Sequence, residues 1–229
     1  MRIIKLNESN QAIVIKNAIK IIQGGGIVIG PTDTVYGIFC DARNKDAIKK
    51  IFALKGRPRQ KALPIFVRDI KMARYYTYIS DAKARFLEKV WLTPLDNERS
   101  ENIMGPGFVT VVFQHKDKLP RVLTGGLDTV GIRIPNHPFL RELLFILDYP
   151  VAQTSANVSD APPARNVAEI KKYFIGAKTK PDLVIDAGEI EGEPSAVIDC
   201  TGVRPVILRT GTLSFDTLND FWDSPTDGN

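Results

Sequence analysis

The chain has 229 residues and a mass of 25.4 kDa, with 44% hydrophobic residues, 25% charged residues, a net charge of +5 and a mean hydropathy of −0.08. These values are typical of a globular protein and exclude a disordered chain, a collagen-like repeat and a membrane protein. Residues 1–8 become charged too early for a signal peptide, and no apolar run reaches the roughly 20 residues that span a bilayer. We therefore expect neither a signal peptide nor an anchor.

The apolar pattern predicts alternating helices and strands. A helix is predicted over residues 10–23, ending on glycines at 24–26, followed by a strand at 27–29, a loop at 30–34 and a helix at 44–54. The later predicted strands are 63–67, 109–113, 130–134, 151–154, 183–185, 196–199 and 206–208. The later predicted helices are 81–90, 138–147 and 167–174, with a polar surface loop at 92–104. This alternation predicts an α/β fold with a mixed sheet.

The positive charge is concentrated in one segment. From Arg43 to Arg74 there are eleven basic and two acidic residues, whereas from Asp182 to the end there are two basic and ten acidic residues. The high positive charge of residues 43–74 favours an anionic ligand, either a nucleotide polyphosphate or a nucleic-acid backbone. A solvated surface is an equal alternative on charge alone.

Several common reaction types lack their sequence signals. Cys40 and Cys200 stand alone, which argues against a zinc site or disulfides and favours a reducing, cytoplasmic location. His115 and His137 are isolated, and neither a zinc-protease motif nor a serine-hydrolase elbow occurs. The glycines at 24–30 precede a strand, whereas those of a P-loop follow one.

Four polar clusters remain, and we expect them at the strand ends where α/β proteins place their sites. They lie at residues 31–37, at 55–61, at 154–157 and at Ser195 with Arg209. Arginine and lysine neutralise phosphate oxygens, while serine, threonine and asparagine orient small polar ligands. Each cluster alone is also typical of a turn or a helix cap. Together they predict a phosphate-bearing ligand beside a small polar one.

Seven motifs occur in order along the chain. They are PTDTVYG at 31–37, KxRP at 55–58, PGxxT at 106–110, VGIRIPxHP at 130–138, TSANxS at 154–159, SxVID at 195–199 and ILRxG at 207–211. With these motifs the chain resembles the YrdC/TsaC family of threonylcarbamoyl-AMP synthases across roughly residues 10–211.

The resemblance implies a fold and an activity. The fold would be a twisted open mixed sheet with flanking helices and a large basic cavity, formed by a catalytic domain over 1–211 that precedes an acidic tail over 212–229. The activity would be synthesis of threonylcarbamoyl-AMP and pyrophosphate from L-threonine, bicarbonate or CO₂, and ATP. Mg²⁺ is expected on the ATP phosphates rather than on protein ligands. The product would pass to a transferase complex that makes N6-threonylcarbamoyladenosine in tRNA.

The same resemblance implies roles for residues in the matched motifs. The catalytic signature would be Lys55, Arg57, Ser155 and Asn157. Threonine would be bound by Thr34, Arg133, Ser155 and Ser195, with Arg133 taking its carboxylate and Phe66 standing where the family often has a histidine. ATP would be bound by Arg57, Lys61, Thr129, Asn157, Arg165 and Arg209. Asp33 is the only carboxylate in the clusters and equally suits a turn, so we expect catalysis by positioning and charge neutralisation.

Three alternatives stay open. A non-catalytic module that binds double-stranded RNA or tRNA would use the basic surface and the tyrosines Tyr75, Tyr76 and Tyr78, but would have no use for a threonine pocket. A carbamoyl-transfer domain of the HypF type would need further regions for which 229 residues leave no room. A YciO-type paralogue would share the fold but lack parts of the catalytic signature.

Overall fold

The computed structural model describes residues 1–58, 60–92 and 108–211, and these residues form a single mixed sheet with flanking helices. The strands are β1 (Arg2–Lys5), β2 (Val28–Gly30), β3 (Gly37–Asp41), β4 (Ile65–Phe66), β5 (Val109–Gln114), β6 (Thr129–Arg133), β7 (Val151–Ser155), β8 (Leu183–Asp186), β9 (Ala196–Asp199) and β10 (Val206–Arg209). The helices are α1 (Gln11–Gln23), α2 (Lys45–Lys55), α3 (Ile70–Tyr76), α4 (Asp81–Leu92), α5 (Arg121–Thr124), α6 (Pro138–Leu147) and α7 (Val167–Phe174). The predicted tail and most of the predicted polar loop lie outside the described residues.

The strand order is β1-β8-β2-β3-β7-β4-β6-β5-β9-β10. The pairs β1–β8, β2–β8, β4–β6 and β5–β9 are parallel, and the remaining neighbours are antiparallel. The predicted α/β class with a mixed sheet is therefore confirmed.

Side-chain alternation along the strands divides the apolar core into two layers. Val28 and Phe39 pack with α1 and α6, whereas their neighbours Ile29 and Ile38 belong to the larger core on the opposite face. Successive strand residues point to opposite faces, so the central strands are buried on both sides. The α1–α6 layer takes its strand residues from β2, β3, β4, β7 and β8, and none from β5, β6 or β9. That face of the sheet is consequently left without a helix over β6, β5 and β9 in the described structure.

The ends of α2 are set by local sequence. The side chain of Asn44 accepts hydrogen bonds from the backbone N–H groups of Asp46 and Ala47 and caps the first turn. Gly56 has a left-handed φ of 60°, which ends the helix and turns the chain toward Arg57. Lys55 thereby becomes the last helical residue and Arg57 the second residue beyond it.

The structure differs from the sequence prediction at several elements. The predicted strand at 63–67 shortens to two residues, because Leu63 donates its N–H to Leu123 in α5 and Pro64 has no N–H to donate. Strands β1 and β3 and helices α3 and α5 were not predicted. β3 is buried along its whole length and so lacks the alternating pattern of a half-exposed strand. In the described part of the chain, no helix is long and apolar enough to cross a membrane.

Candidate functional site

A cavity of about 540 Å³ lies over the half of the sheet that α1 and α6 leave uncovered. Its floor includes two cross-strand pairs, Gly131 opposite Val112 and Thr110 opposite Val197. Residues paired directly across strands point to the same face, so these strands form one continuous floor. A Cβ atom on Gly131 would lie 3.1 Å from side-chain atoms of Pro64 and Thr110, which shows how closely the floor is packed.

The cavity lining brings together most of the predicted site residues. Those that line it are Thr34, Arg57, Arg133, Ser155, Asn157, Ser195 and Arg209. Among the described residues, those that line the cavity include three arginines and no acidic residue. Thr32, Thr110 and Gln153 also line it and were missed as site residues, although Thr110 ends one of the seven motifs.

Lys55 lies beneath the turn that follows β7, outside the cavity lining. Its Nζ donates to the backbone oxygens of Ser155 at 2.6 Å and Asn157 at 2.9 Å, and to Oδ1 of Asn157. The Ser155 hydroxyl donates to the same Oδ1 at 2.8 Å. Lys55 is only 3% exposed, and this burial, with a smaller contribution from Arg57, lowers its pKa to about 7. Lys55 therefore holds the lining residues Ser155 and Asn157 in place from outside the cavity lining.

Arg57 extends from the end of α2 into the cavity. Its guanidinium donates to the backbone oxygens of Lys61 at 3.3 Å and Ala62 at 3.0 Å, and burial lowers its pKa. Lys61 itself pairs with Asp160 at 3.1 Å, and both side chains are largely exposed. The structure thus places Arg57 in the cavity wall and Lys61 outside the lining.

The loop after β2 surrounds the guanidinium of Arg133. Arg133 Nη2 donates to the hydroxyl of Thr34 at 3.1 Å and lies 2.8 Å from Oδ2 of Asp33. The Thr32 hydroxyl accepts from the backbone N–H groups of Thr34 and Val35 and fixes the loop. By sequence, Asp33 suits a turn equally well. In the structure it forms a buried ion pair with Arg133, which the sequence did not predict.

Ser195 and Arg209 meet at the start of β9. The Ser195 hydroxyl is 2.9 Å from that of Thr110, and its backbone oxygen accepts from Nε and Nη2 of Arg209 at 3.0 and 2.6 Å. Burial, with a smaller contribution from the charge of Arg133, lowers the pKa of Arg209. The two arginines are thus close enough to concentrate positive charge at this end of the cavity.

Three further predicted residues lie outside the lining. Phe66 is buried in the α1–α6 core, with its ring centroid 5.5 Å from the guanidinium carbon of Arg133. Thr129 begins β6 opposite Gln114, at the far end of the strand from Arg133. Arg165 is an exposed residue just before α7.

The described residues contain no cluster of three or more His, Cys, Asp or Glu side chains that could hold a metal ion. Cys40 and Cys200 are buried free thiols. Burial raises the pKa of both thiols, that of Cys200 to about 12, so neither is a reactive thiolate at neutral pH.

The model of the Sua5/YciO/YrdC family, described as telomere recombination, matches residues 20–211. The chain belongs to the Sua5/YciO/YrdC family. All seven motifs that carry the resemblance lie inside the matched region, so the predicted family is confirmed.

Two relatives show how far the similarity extends. A threonylcarbamoyl-AMP synthase of Pyrococcus abyssi is 34% identical over 218 residues, which cover 94% of this chain but only 59% of that protein. A putative threonylcarbamoyl-AMP synthase of Methanocaldococcus jannaschii is 32% identical over 219 residues, which cover 95% of this chain and 95% of that protein. The chain thus spans about three fifths of the first relative and nearly all of the second.

Solved structures of family members share the fold. P. abyssi Sua5 complexed with L-threonine has a TM-score of 0.83 and 32% identity, covering 96% of this chain and 61% of that one. Escherichia coli YciO has a TM-score of 0.78 and 25% identity, covering 95% and 98%. A phosphate- and nucleotide-bound HypF, at 23% identity and a TM-score of 0.69, shows the fold alone.

Proposed function

We propose that this chain is a threonylcarbamoyl-AMP synthase that converts L-threonine, bicarbonate or CO₂, and MgATP into threonylcarbamoyl-AMP and pyrophosphate. The observation that carries the proposal is the cavity, which Arg133, Thr34 and Ser195 line together with Arg57 and Arg209. Two relatives with this name and a threonine complex of Sua5 support it. We assign the activity to residues 1–211 and expect it in the cytoplasm, where tRNA is modified.

The proposed reaction joins anionic partners. The neutral amine of threonine attacks CO₂, loses a proton to solvent and becomes a carbamate. A carbamate oxygen then attacks the α-phosphorus of ATP, and pyrophosphate leaves. Both the carbamate and the phosphates are negatively charged, so the arginines reduce their repulsion and stabilise the charge that develops on the leaving group.

The residues of the cavity divide between the two substrates in this proposal. Arg133 takes the threonine carboxylate, because a guanidinium binds a carboxylate through paired hydrogen bonds. The hydroxyls of Thr34, Ser155 and Ser195 orient the amino acid. The ATP phosphates lie against Arg57 and Arg209.

Other residues act on ATP from outside the cavity lining. Lys61 and Arg165 are exposed cations that can approach the outer phosphates when ATP is bound. Asn157, which lines the cavity, orients the nucleotide, and Lys55 keeps Asn157 in place from outside the lining through two hydrogen bonds. Thr129 and Phe66 are assigned by motif position alone.

Mg²⁺ would arrive with ATP. The ion prefers carboxylates, water and phosphate oxygens, and the described cavity lining offers hydroxyl and amide oxygens but no carboxylate. The residues present therefore fit an ion held by the phosphates rather than by the protein. When bound, it would neutralise charge on the phosphates of ATP.

Substrate omission tests the proposal. The full chain is incubated with MgATP, bicarbonate and L-threonine, and pyrophosphate is measured with each component omitted in turn. L-Serine, which lacks only the methyl group, serves as the matched control for the amino-acid pocket. Pyrophosphate formation that requires both threonine and bicarbonate supports the proposal. ATP hydrolysis independent of threonine contradicts it and favours a YciO-type role.

A contact with RNA is a second candidate function, favoured by one surface distinct from the cavity. Tyr75 and Tyr78 are 56% and 61% exposed, and the ammonium groups of Lys118 and Lys116 lie 3.3 and 5.3 Å from their ring centroids. Exposed aromatic rings beside cations are suited to stacking bases and neutralising phosphates. Tyr76, by contrast, is buried.

Binding of labelled single-stranded RNA, measured by fluorescence anisotropy, tests this contact. Replacing both Tyr75 and Tyr78 by alanine should weaken binding at least tenfold, because stacking contributes about 1–3 kcal/mol per base. Phe145→Ala is the control, since this ring is also exposed and also lies near a cation, the guanidinium of Arg68 at 5.9 Å. Equal RNA binding by all three proteins refutes the contact.

A further inference from the structure

The ion pair between Asp33 and Arg133 is buried in the wall of the cavity. Its two side chains are only 6% and 4% exposed, and Oδ2 of Asp33 lies 2.8 Å from Nη2 of Arg133. Arg133 lines the cavity, whereas Asp33 does not. Asp33 is therefore placed behind the arginine, on the side away from the space that a ligand would occupy.

The hydrogen bonding of this pair is incomplete. Apart from the ion pair itself, neither carboxylate oxygen of Asp33 has a hydrogen-bond partner among the described residues, and the same holds for Nε of Arg133. A buried ion pair compensates for its desolvation only when its remaining donors and acceptors are also bonded. Stability alone is thus a poor explanation for this pair.

Among the described residues, no other carboxylate forms an ion pair with the guanidinium of Arg133. Its hydrogen-bond acceptor is the neutral hydroxyl of Thr34, and Arg209, which also lines the cavity, is close enough for the two positive charges to interact. His137 lies near Asp33, and burial lowers its pKa, so it is neutral at pH 7 and does not replace Arg133 as the partner. Asp33 is the carboxylate that pairs with this buried guanidinium.

We propose that Asp33 is a positioning residue that holds the Arg133 guanidinium ready for the carboxylate of the amino-acid substrate. The proposal rests on the proposed function. Asp33 and Thr34 engage one terminal nitrogen of Arg133, whose side chain lines the cavity. A guanidinium fixed before the ligand arrives loses less conformational entropy on binding.

Asp33→Asn tests the proposal because it keeps the shape of the side chain and removes its charge. Binding of L-threonine to the full chain is measured by calorimetry without ATP, so that the result does not depend on turnover. We expect affinity to fall about 10- to 100-fold, by analogy with the loss of a partner that orients a metal ligand. The preference for L-threonine over L-threoninol, which lacks the carboxylate, should fall with it.

Two further variants make the result decisive. Asp46→Asn removes an exposed ion pair with Lys49, of 2.9 Å, and should leave threonine affinity unchanged. If Asp33→Asn does not fold, Asp33→Glu keeps the charge but moves the carboxylate, and it should still weaken binding. Threonine affinity and preference that stay at the wild-type level in a folded Asp33 variant overturn the proposal. Wild-type protein that does not bind threonine at all contradicts the proposed function itself.

Discussion

Replacing Lys55 by methionine removes a buried amine while keeping a side chain of similar length. In the wild-type protein this amine donates to three oxygens of Ser155 and Asn157. Burial lowers its pKa from 10.5 to about 7, a difference that corresponds to about 5 kcal/mol. The unfolded chain therefore binds more protons at this site than the folded chain between pH 7 and pH 10.5.

The sign of the pH dependence follows from this difference. Raising the pH through that window disfavours the unfolded state, so the contribution of Lys55 to the free energy of unfolding increases with pH. Below pH 7 the amine is charged in both states, and the contribution is constant. From pH 7 to pH 9 the wild type should gain about 2 kcal/mol relative to Lys55→Met.

Denaturant unfolding at pH 7, 8 and 9 measures this gain. The difference between the two proteins isolates Lys55, because other titrating groups are common to both. Lys50→Met is the matched control, since Lys50 is an exposed lysine on the same helix with one hydrogen bond of 2.8 Å to Gly25. If the difference in free energy of unfolding between the wild type and Lys55→Met does not change with pH, the lowered pKa of Lys55 is refuted.

Two other substitutions give independent tests. Arg57→Ala removes a cation from the cavity wall, so pyrophosphate release should fall by at least about a hundredfold, while the melting temperature changes little; undiminished turnover contradicts the assignment. In Gly192→Ala, the new Cβ would lie 2.0 Å from the backbone oxygen of Thr34, so the loop that follows β2 must shift. We expect a stability loss of about 1–3 kcal/mol and a raised KM for threonine. Gly176→Ala, where a Cβ meets open space, is the control, and equal effects of the two glycine variants rule out the contact.

Local chemistry made most of the helices predictable. α6 and α7 begin and end where the apolar spacing places them, and α2 differs from its prediction by one residue at each end. Asn44 and Gly56 explain this, because a side-chain cap and a left-handed glycine act within one turn of the chain. The short strand β4 was less predictable, since its length depends on hydrogen bonds to α5, which lies far along the chain.

Within the candidate site, residue types were predictable but their partners were not. The motifs identified Arg133 and Lys55 as site residues, and the first lines the cavity. No spacing rule indicates that Asp33 pairs with Arg133, or that Lys55 supports Ser155 and Asn157 from behind. These contacts join residues about a hundred positions apart, so they depend on strand order rather than on local sequence.

Incorporation of carbon from isotopically labelled bicarbonate into the product is the decisive test of the proposed activity. The full chain is incubated with MgATP, L-threonine and the labelled bicarbonate, and the products are separated and identified by mass spectrometry. We expect one product that contains threonine, AMP and the labelled carbon, formed in equal amount with pyrophosphate. Pyrophosphate without such a product, or a threonine–AMP product without the label, would contradict the proposed synthesis of threonylcarbamoyl-AMP.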